Sequence, residues 1–332
     1  MPPVTQDTLL AGDIGGTKTI LGLFSPSSPR PVPNLVRTYA SRDWSGLGPI
    51  IQDFAAGLPA LPARACFGIA GPVTGGVTQT TNLPWEVSEK ALIQRFGFSR
   101  AVLVNDLAAM AMAIPVLDTE EVAALNTPAV NIHEPIALAA PGTGLGMALL
   151  IPGKAGFRVL ASEGGHADFA PSSEDEADLW SFLHRRFGHV SMERVVSGPG
   201  IANIFNWLWE SGRFDKPRWQ DPDLFLRDPA RAIVESALNT QNPLCIAVLN
   251  LFISALGALT GNLALTGMTT GGVFLGGGIL PRILTLLANG RFLKSFTGKG
   301  RFSPFLSAIP VRVILNDKAA LLGAALHAAK NL

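Results

Sequence analysis

The stretch Leu9-Leu10-Ala11-Gly12-Asp13-Ile14-Gly15-Gly16-Thr17-Lys18-Thr19-Ile20-Leu21-Gly22-Leu23-Phe24 decides how this chain is read. Two apolar runs flank a glycine pair, which is the pattern of strand, tight turn and strand. Two readings of the turn stay open on these residues alone. An ordinary β-hairpin asks only for Gly15-Gly16. A nucleotide turn asks for more, and the stretch supplies it. Glycines without a Cβ let phosphate oxygens reach backbone N–H groups, Thr17 adds a donor, and Asp13 can hold Mg²⁺ through water. A Walker loop is excluded, since no G-x-x-x-x-G-K-[ST] occurs in the sequence.

Outward from this stretch, short β-like runs recur at Ala65–Ile69, Ala101–Val104, Ile136–Ala140, Met147–Ile151, Val273–Leu275 and Val311–Leu315. Helical patterns such as Leu107–Ile114 and Asp175–Phe187 alternate with them, and this alternation predicts an α/β fold. Segments 25–33, 71–76 and 212–229, rich in Pro, Gly or charge, read as surface loops. No solenoid-type repeat is visible. A second glycine loop, Pro141-Gly142-Thr143-Gly144-Leu145-Gly146, again lies between apolar runs, and Gly271-Gly272 and Gly276-Gly277-Gly278 bracket a third. Three such clusters favour repeated nucleotide contact over chance turns.

The 332 residues allow two domains or one large two-lobed unit. Lys plus Arg number 26 and Asp plus Glu 25, so no strong field of either sign recruits nucleic acid, and small molecules are the expected partners. Cys66 and Cys245 form no CxxC or Cys/His cluster, which argues against a disulfide scaffold or structural zinc and fits a reducing cytoplasm. Charged residues make up only 15%, and none occurs between Ser236 and Pro281, so a membrane span must be weighed. Asn250, Ser254, Gly257 and Gly261 recur at helical spacing there. Without basic or aromatic anchors, the expectation is a buried helix whose glycines admit a neighbouring backbone, and no membrane. The first eight residues lack a basic segment followed by an apolar one, so no export signal is read.

Three acidic features carry the chemistry. Val102-Leu103-Val104-Asn105-Asp106 ends a buried strand at the start of an Ala-rich helix, where Asp106 is either a helix N-cap or a general base at the strand's C-terminal end. Ser162-Glu163-Gly164-Gly165-His166-Ala167-Asp168 places a carboxylate and an imidazole on a glycine turn. It is either a polar turn or a set of partners for sugar hydroxyls, and no third ligand at zinc spacing follows. Glu193 precedes Val195-Val196 and Ser197, an expected helix cap, and by itself reads as a surface charge.

In combination these pieces resemble the bacterial glucokinases. Asp13-Ile14-Gly15-Gly16-Thr17, Val104-Asn105-Asp106, Gly142-Thr143-Gly144-Leu145-Gly146, Glu163-Gly164-Gly165-His166, Glu193-Arg194-Val195-Val196-Ser197-Gly198-Pro199-Gly200 and Asn316-Asp317-Lys318-Ala319-Ala320-Leu321-Leu322-Gly323 occur in that family's order and approximate spacing, covering nearly everything from Ala11 to His327. The resemblance implies a two-lobed, actin-like, hexokinase-type α/β fold with a central cleft. Its small lobe would be residues 1–108 rejoined by a helix over about 317–332, and its large lobe 109–316. It implies transfer of the ATP γ-phosphoryl group to the 6-hydroxyl of D-glucose in a cytoplasmic homodimer. Asp106 would be the base; Asn105, Asp106, Glu163, His166 and Glu193 would bind glucose. Gly12, Asp13, Ile14, Gly15, Gly16, Thr17 and Lys18 would hold phosphates and Mg²⁺, with Asp13 reaching the metal through water. Gly142, Thr143 and Gly144 would form a second phosphate loop, Gly276 and Gly277 would lie by the adenosine, and Asn82 would approach the sugar.

Two departures qualify the match. Lys18 stands where many of these enzymes have Asn and gives the version also seen in the related ROK kinases (repressors, open reading frames and kinases), yet the cysteine-rich zinc motif of those relatives is absent. A kinase for another hexose, one using polyphosphate, and a non-catalytic sugar-binding relative are the competing readings.

Overall fold

Asp13 sits one residue before the end of a strand that is paired on both sides, and the pairing explains the site's position. In the computed structural model, residues 7–80, 83–154, 156–215, 219 and 221–329 are described. They fall into two units: Met1–Asp118 with Val159–Ala161 and Asn316–Leu332, and Thr119–Arg158 with Ser162–Leu315.

In the first unit β1 (Leu9–Ile14), β2 (Lys18–Ser25), β3 (Val32–Ala40), β4 (Arg64–Ile69) and β7 (Arg100–Asn105) form a sheet of order β3-β2-β1-β4-β7. The small strands β5 (Val77–Gln79) and β6 (Glu86–Ser88) pair separately. β1 runs antiparallel to β2 and parallel to β4, and β4 runs parallel to β7. The register places Ile14 beside Ile69 and Ile69 beside Asn105, so three strands end at one level. Alternation along the strands sends Leu10, Ile14 and Phe67 to one face, where Ile50, Ile51 and Phe54 of helix α1 (Leu47–Ala55) cover them. Helix α2 (Glu89–Phe96) adds Leu92 to that core. Helix α3 (Asp106–Ala113) follows β7 without a loop.

A six-stranded sheet of order β11-β10-β9-β12-β13-β8 is built from β8 (Val122–Ala124), β9 (Ile136–Pro141), β10 (Leu145–Ile151), β11 (Arg158–Ser162), β12 (Gly272–Leu275) and β13 (Val311–Ile314), all of the second unit except Val159–Ala161 of β11. β9 and β10 form an antiparallel hairpin, and β12 runs parallel to both β9 and β13. The order β10-β9-β12-β13 thus repeats β2-β1-β4-β7. Helices α4 (Glu174–Phe187), α5 (Gly198–Glu210), α6 (Pro222–Arg227), α7 (Pro229–Asn239), α8 (Pro243–Gly267), α9 (Leu284–Leu287), α10 (Arg291–Thr297) and α11 (Ser303–Ser307) belong to this unit. The chain returns to the first unit as α12 (Ala319–Ala329), whose Leu321, Ala324 and Ala325 cover Leu9, Ala11 and Cys66 on the sheet's other face.

Helix α8 is the uncharged segment, and it is the one described helix long and apolar enough to cross a membrane. Two-thirds of that apolar window is buried inside the protein, among Phe205, Val273 and Phe296. A Cβ on Gly257 or Gly261 would meet the backbone carbonyls of Phe292 and Phe296, so these glycines admit the backbone of α10. Two loop expectations need correction. Segment 25–33 ends in β3, which begins at Val32, and 212–229 contains α6, started by an Asp221 cap and Pro222. Polar composition hid both: β3 is an edge strand with exposed residues, and α6 buries none of its side chains.

Candidate functional site

In the first unit the turn between β1 and β2 is closed by the Gly15 N–H donating to the Lys18 carbonyl at 2.9 Å. Ser41, fully buried, braces it: its hydroxyl donates to the Gly15 carbonyl at 2.7 Å, lies 3.0 Å from the Thr19 hydroxyl, and its N–H donates to the Thr17 carbonyl at 3.0 Å. Nothing near Ser41 in the sequence marks this role, because its partners lie more than twenty residues away. At the ends of the parallel strands, Asn105 rather than Asp106 is the cap of α3. The Asn105 carboxamide oxygen accepts from the N–H groups of Leu107 and Ala108, both at 3.1 Å, and its Nδ2 donates to the Gly71 carbonyl at 3.2 Å. Asp106 is the first helical residue, as the cap's extended backbone places Asn105 just outside the helix.

Burial pushes the Asp106 carboxyl above the usual range, against the pull of the Leu107 N–H that its Oδ1 accepts at 2.8 Å. Asp13 is pushed up to about 7, first by burial and then by the like charges of Asp106 and Asp317. Asp317 leads into α12, and Gly323 of that helix lies against the Ala109 carbonyl, so α12 packs against α3 directly below Asp106. The described residues contain no group of three His, Cys, Asp or Glu side chains close enough to hold a metal together. A buried carboxylate crowded by two others is still a place where a hydrated divalent cation relieves repulsion, so the donor set fits Mg²⁺ held through water. Thr17 and Lys18 are exposed at the turn's outer end.

In the second unit the motifs converge on Leu145. The Gly142 N–H donates to the Gly144 carbonyl at 2.8 Å, which shapes the second glycine loop with Thr143 at its tip. The Glu193 Oε2 accepts the Leu145 N–H at 2.8 Å, so Glu193 is no free surface charge. The Leu145 carbonyl lies where a Cβ on Gly165 would stand, which brings the Glu163–His166 turn against the same residue. Glu163 and His166 remain exposed, 3.9 Å apart. Ser197 caps α5 by accepting the Gly200 N–H at 3.0 Å and donates to the Glu193 carbonyl at 2.6 Å, and the Gly198 N–H donates to the Gly142 carbonyl at 2.8 Å. The third cluster joins here too. Gly276 N–H donates to the Ala139 carbonyl at 2.9 Å, and Gly277, at φ 89°, lies against the Pro141 carbonyl. Asn82 lies outside the described residues.

Each unit therefore gathers a glycine hairpin and the acidic residues that the sequence scattered. A model of the family described as Glucokinase matches residues 10–331. The chain belongs to the glucokinase family. The glucokinase of Synechocystis is 41% identical over 97% of this chain and 98% of its own, and that of Cronobacter sakazakii 36% identical over 97% of each. Among solved structures, a glucokinase from an Antarctic psychrotroph has a TM-score of 0.86 at 33% identity over 98% of this chain and 99% of its own. A glucokinase of Balamuthia mandrillaris solved with glucose has a TM-score of 0.79 at 21% identity, covering 98% of this chain and 94% of its own; it shares the fold. Members of this family are ATP-dependent hexose kinases, and the fold is of the actin-like α/β type.

Proposed function

We propose that this glucokinase transfers the γ-phosphoryl group of ATP to the 6-hydroxyl of D-glucose, releasing glucose 6-phosphate and ADP. The observation that carries the reading is Asp106, a carboxylate of raised pKa at the end of a parallel strand, held beside the capping Asn105. Asp106 accepts the proton of the 6-hydroxyl as its oxygen bonds to phosphorus and the bond to the β-phosphate oxygen breaks. A raised pKa suits this role, because the base must hold the proton once it has arrived. Asn105, Glu163, His166 and Glu193 pair with the sugar hydroxyls, and discrimination follows from the cost of leaving any of these groups unpaired.

The glycine turn from Gly12 to Lys18 presents backbone N–H groups to the β- and γ-phosphates, and Gly142, Thr143 and Gly144 offer a second set. Gly276 and Gly277, without side chains, leave room for the adenosine. Mg²⁺, when bound near Asp13, neutralises charge on the phosphate oxygens. The two compact units correspond in this reading to the family's small and large lobes. The enzyme works as a cytoplasmic homodimer, where its two buried, unpaired cysteines stay reduced.

Coupled measurement of ADP release from Mg·ATP tests the reading, with glucose compared against mannose, fructose and N-acetylglucosamine, and polyphosphate compared as donor. Glucose-selective, ATP-dependent turnover is expected. Turnover confined to another sugar or donor overturns the substrate assignment, and tight glucose binding without turnover points to a non-catalytic relative. Sedimentation at micromolar concentration tests the dimer.

A further inference from the structure

A cavity of about 660 Å³ opens in the second unit among α4, α5, α8 and α10, within the range of small-molecule sites. It lies away from the glycine loops. Leu208 lines it, while Gly198, which bonds the second glycine loop, starts the same helix ten residues earlier, about 15 Å along its axis. Two kinds of polar group face the cavity. The carboxylates there are already engaged. Asp175 pairs with the Arg213 guanidinium at 2.6 Å, and Glu176 accepts from the Ser172 N–H at 2.6 Å and from the Ser172 hydroxyl at 2.7 Å.

Five other polar side chains on the lining are not engaged among the described residues. Arg291 and Lys294 of α10 line the cavity and form no ion pair among the described residues. Asn250 and Ser254 are two of the polar residues of the mostly apolar α8; with Ser295 they line the same cavity, and their side chains have no hydrogen-bond partner among the described residues. Asn250, Ser254 and Ser295 are half-buried, while Arg291 and Lys294 are exposed. Two free cations and three free neutral donors on one concave surface match one ligand chemistry: an anionic group for the cations and hydroxyls for the rest.

We propose that this cavity binds a small phosphate ester bearing hydroxyl groups, at a site separate from the sugar and nucleotide motifs. The proposal does not depend on the kinase reading, since no residue of those motifs lines the cavity.

Calorimetric titration of the full chain, first saturated with glucose and a non-hydrolysable ATP analogue, tests it with 3-phosphoglycerate, fructose 1,6-bisphosphate, inorganic phosphate and citrate as probes. At least one phosphate ester is expected to bind more tightly than inorganic phosphate and citrate, and R291A/K294A is expected to weaken it about tenfold or more, the loss of charge-assisted hydrogen bonds. K294E, on an exposed helix face, is a second variant, and the thermal midpoint of each unliganded variant reports folding. Heat that survives both variants, a preference for phosphate or citrate alone, or no heat with any probe overturns the proposal.

Discussion

In the first glycine hairpin an acid lies within the strand that enters the turn, whereas no residue of the second, from Ile136 to Ile151, carries a charge. The strand orders around them are the same, β2-β1-β4-β7 against β10-β9-β12-β13. The first gathers three carboxylates, with Asp13 crowded by Asp106 and Asp317. The second is tied to a carboxylate lent by Glu193 from 48 residues away, which accepts the Leu145 N–H. One topology is thus used twice in two different electrostatic settings. Crowded, poorly solvated carboxylates suit proton and cation chemistry, while a neutral loop tied to a carboxylate suits the placement of hydroxyls and phosphates.

The largest expected effect tests whether the first hairpin's surroundings do the chemistry. Asp106→Asn keeps size and much of the hydrogen bonding but cannot take a proton, so kcat falls about 10²- to 10⁴-fold while glucose affinity changes little. Steady-state kinetics with calorimetric glucose binding checks this. A variant retaining more than about a tenth of wild-type kcat would break the assignment of Asp106 as base.

The second hairpin is tested at Gly144, where a Cβ would stand 2.6 Å from the Glu193 Oε2. Gly144→Ala must push that carboxylate off the Leu145 N–H, and a lost charge-assisted hydrogen bond corresponds to about ten- to a hundredfold. KM for glucose is expected to rise by that factor, with KM for ATP rising less. A rise in KM for ATP with KM for glucose unchanged would mean that the loop serves the nucleotide alone and that Glu193 is not the link to the sugar.

How far the sequence showed this contrast depends on distance along the chain. Both hairpins were legible because a glycine turn and its two strands are local, whereas the register of the parallel strands was not, since β1 and β4 are buried almost throughout and show no alternation. Asp106 was visible as a strand-end acid, but its choice between cap and base was not; the cap turned out to be its neighbour Asn105, whose amide reaches two N–H groups. Ser41 and Asp317 act on the first hairpin from β3's end and from the segment before α12, and Glu193 acts on the second from outside it. Contacts across such separations leave no periodicity to read. The repeated strand order was equally hidden, since it is a property of pairing and not of residue spacing.

Asp13 sharpens the comparison through pH. Its carboxyl is raised from an ordinary 3.8 to about 7 in the folded protein, so between about pH 4 and 7 the native state holds a proton that the unfolded chain has released. Stability therefore declines as pH rises through that window and levels off above it. Asp13→Asn removes the penalty and is expected to raise the thermal midpoint at pH 8 by about 3 °C, with the gap closing toward pH 4. Scanning calorimetry at the two pH values decides it. A variant less stable than wild type at pH 8 would show that the Asp13 charge is compensated rather than crowded.

The smallest effect concerns Lys18, the exposed cation at the end of the first turn, where many glucokinases have Asn. If the hairpin holds phosphates by backbone N–H groups, an exposed ammonium adds only a screened Coulomb attraction. Lys18→Asn is then expected to raise KM for ATP no more than about threefold near 0.15 M salt, and more at low ionic strength, where the Debye length grows to about 30 Å. Steady-state kinetics across a salt series measures this. A rise beyond about tenfold that salt does not alter would place the ammonium in direct contact with phosphate and make charge, rather than backbone geometry, the means by which the first hairpin differs from the second.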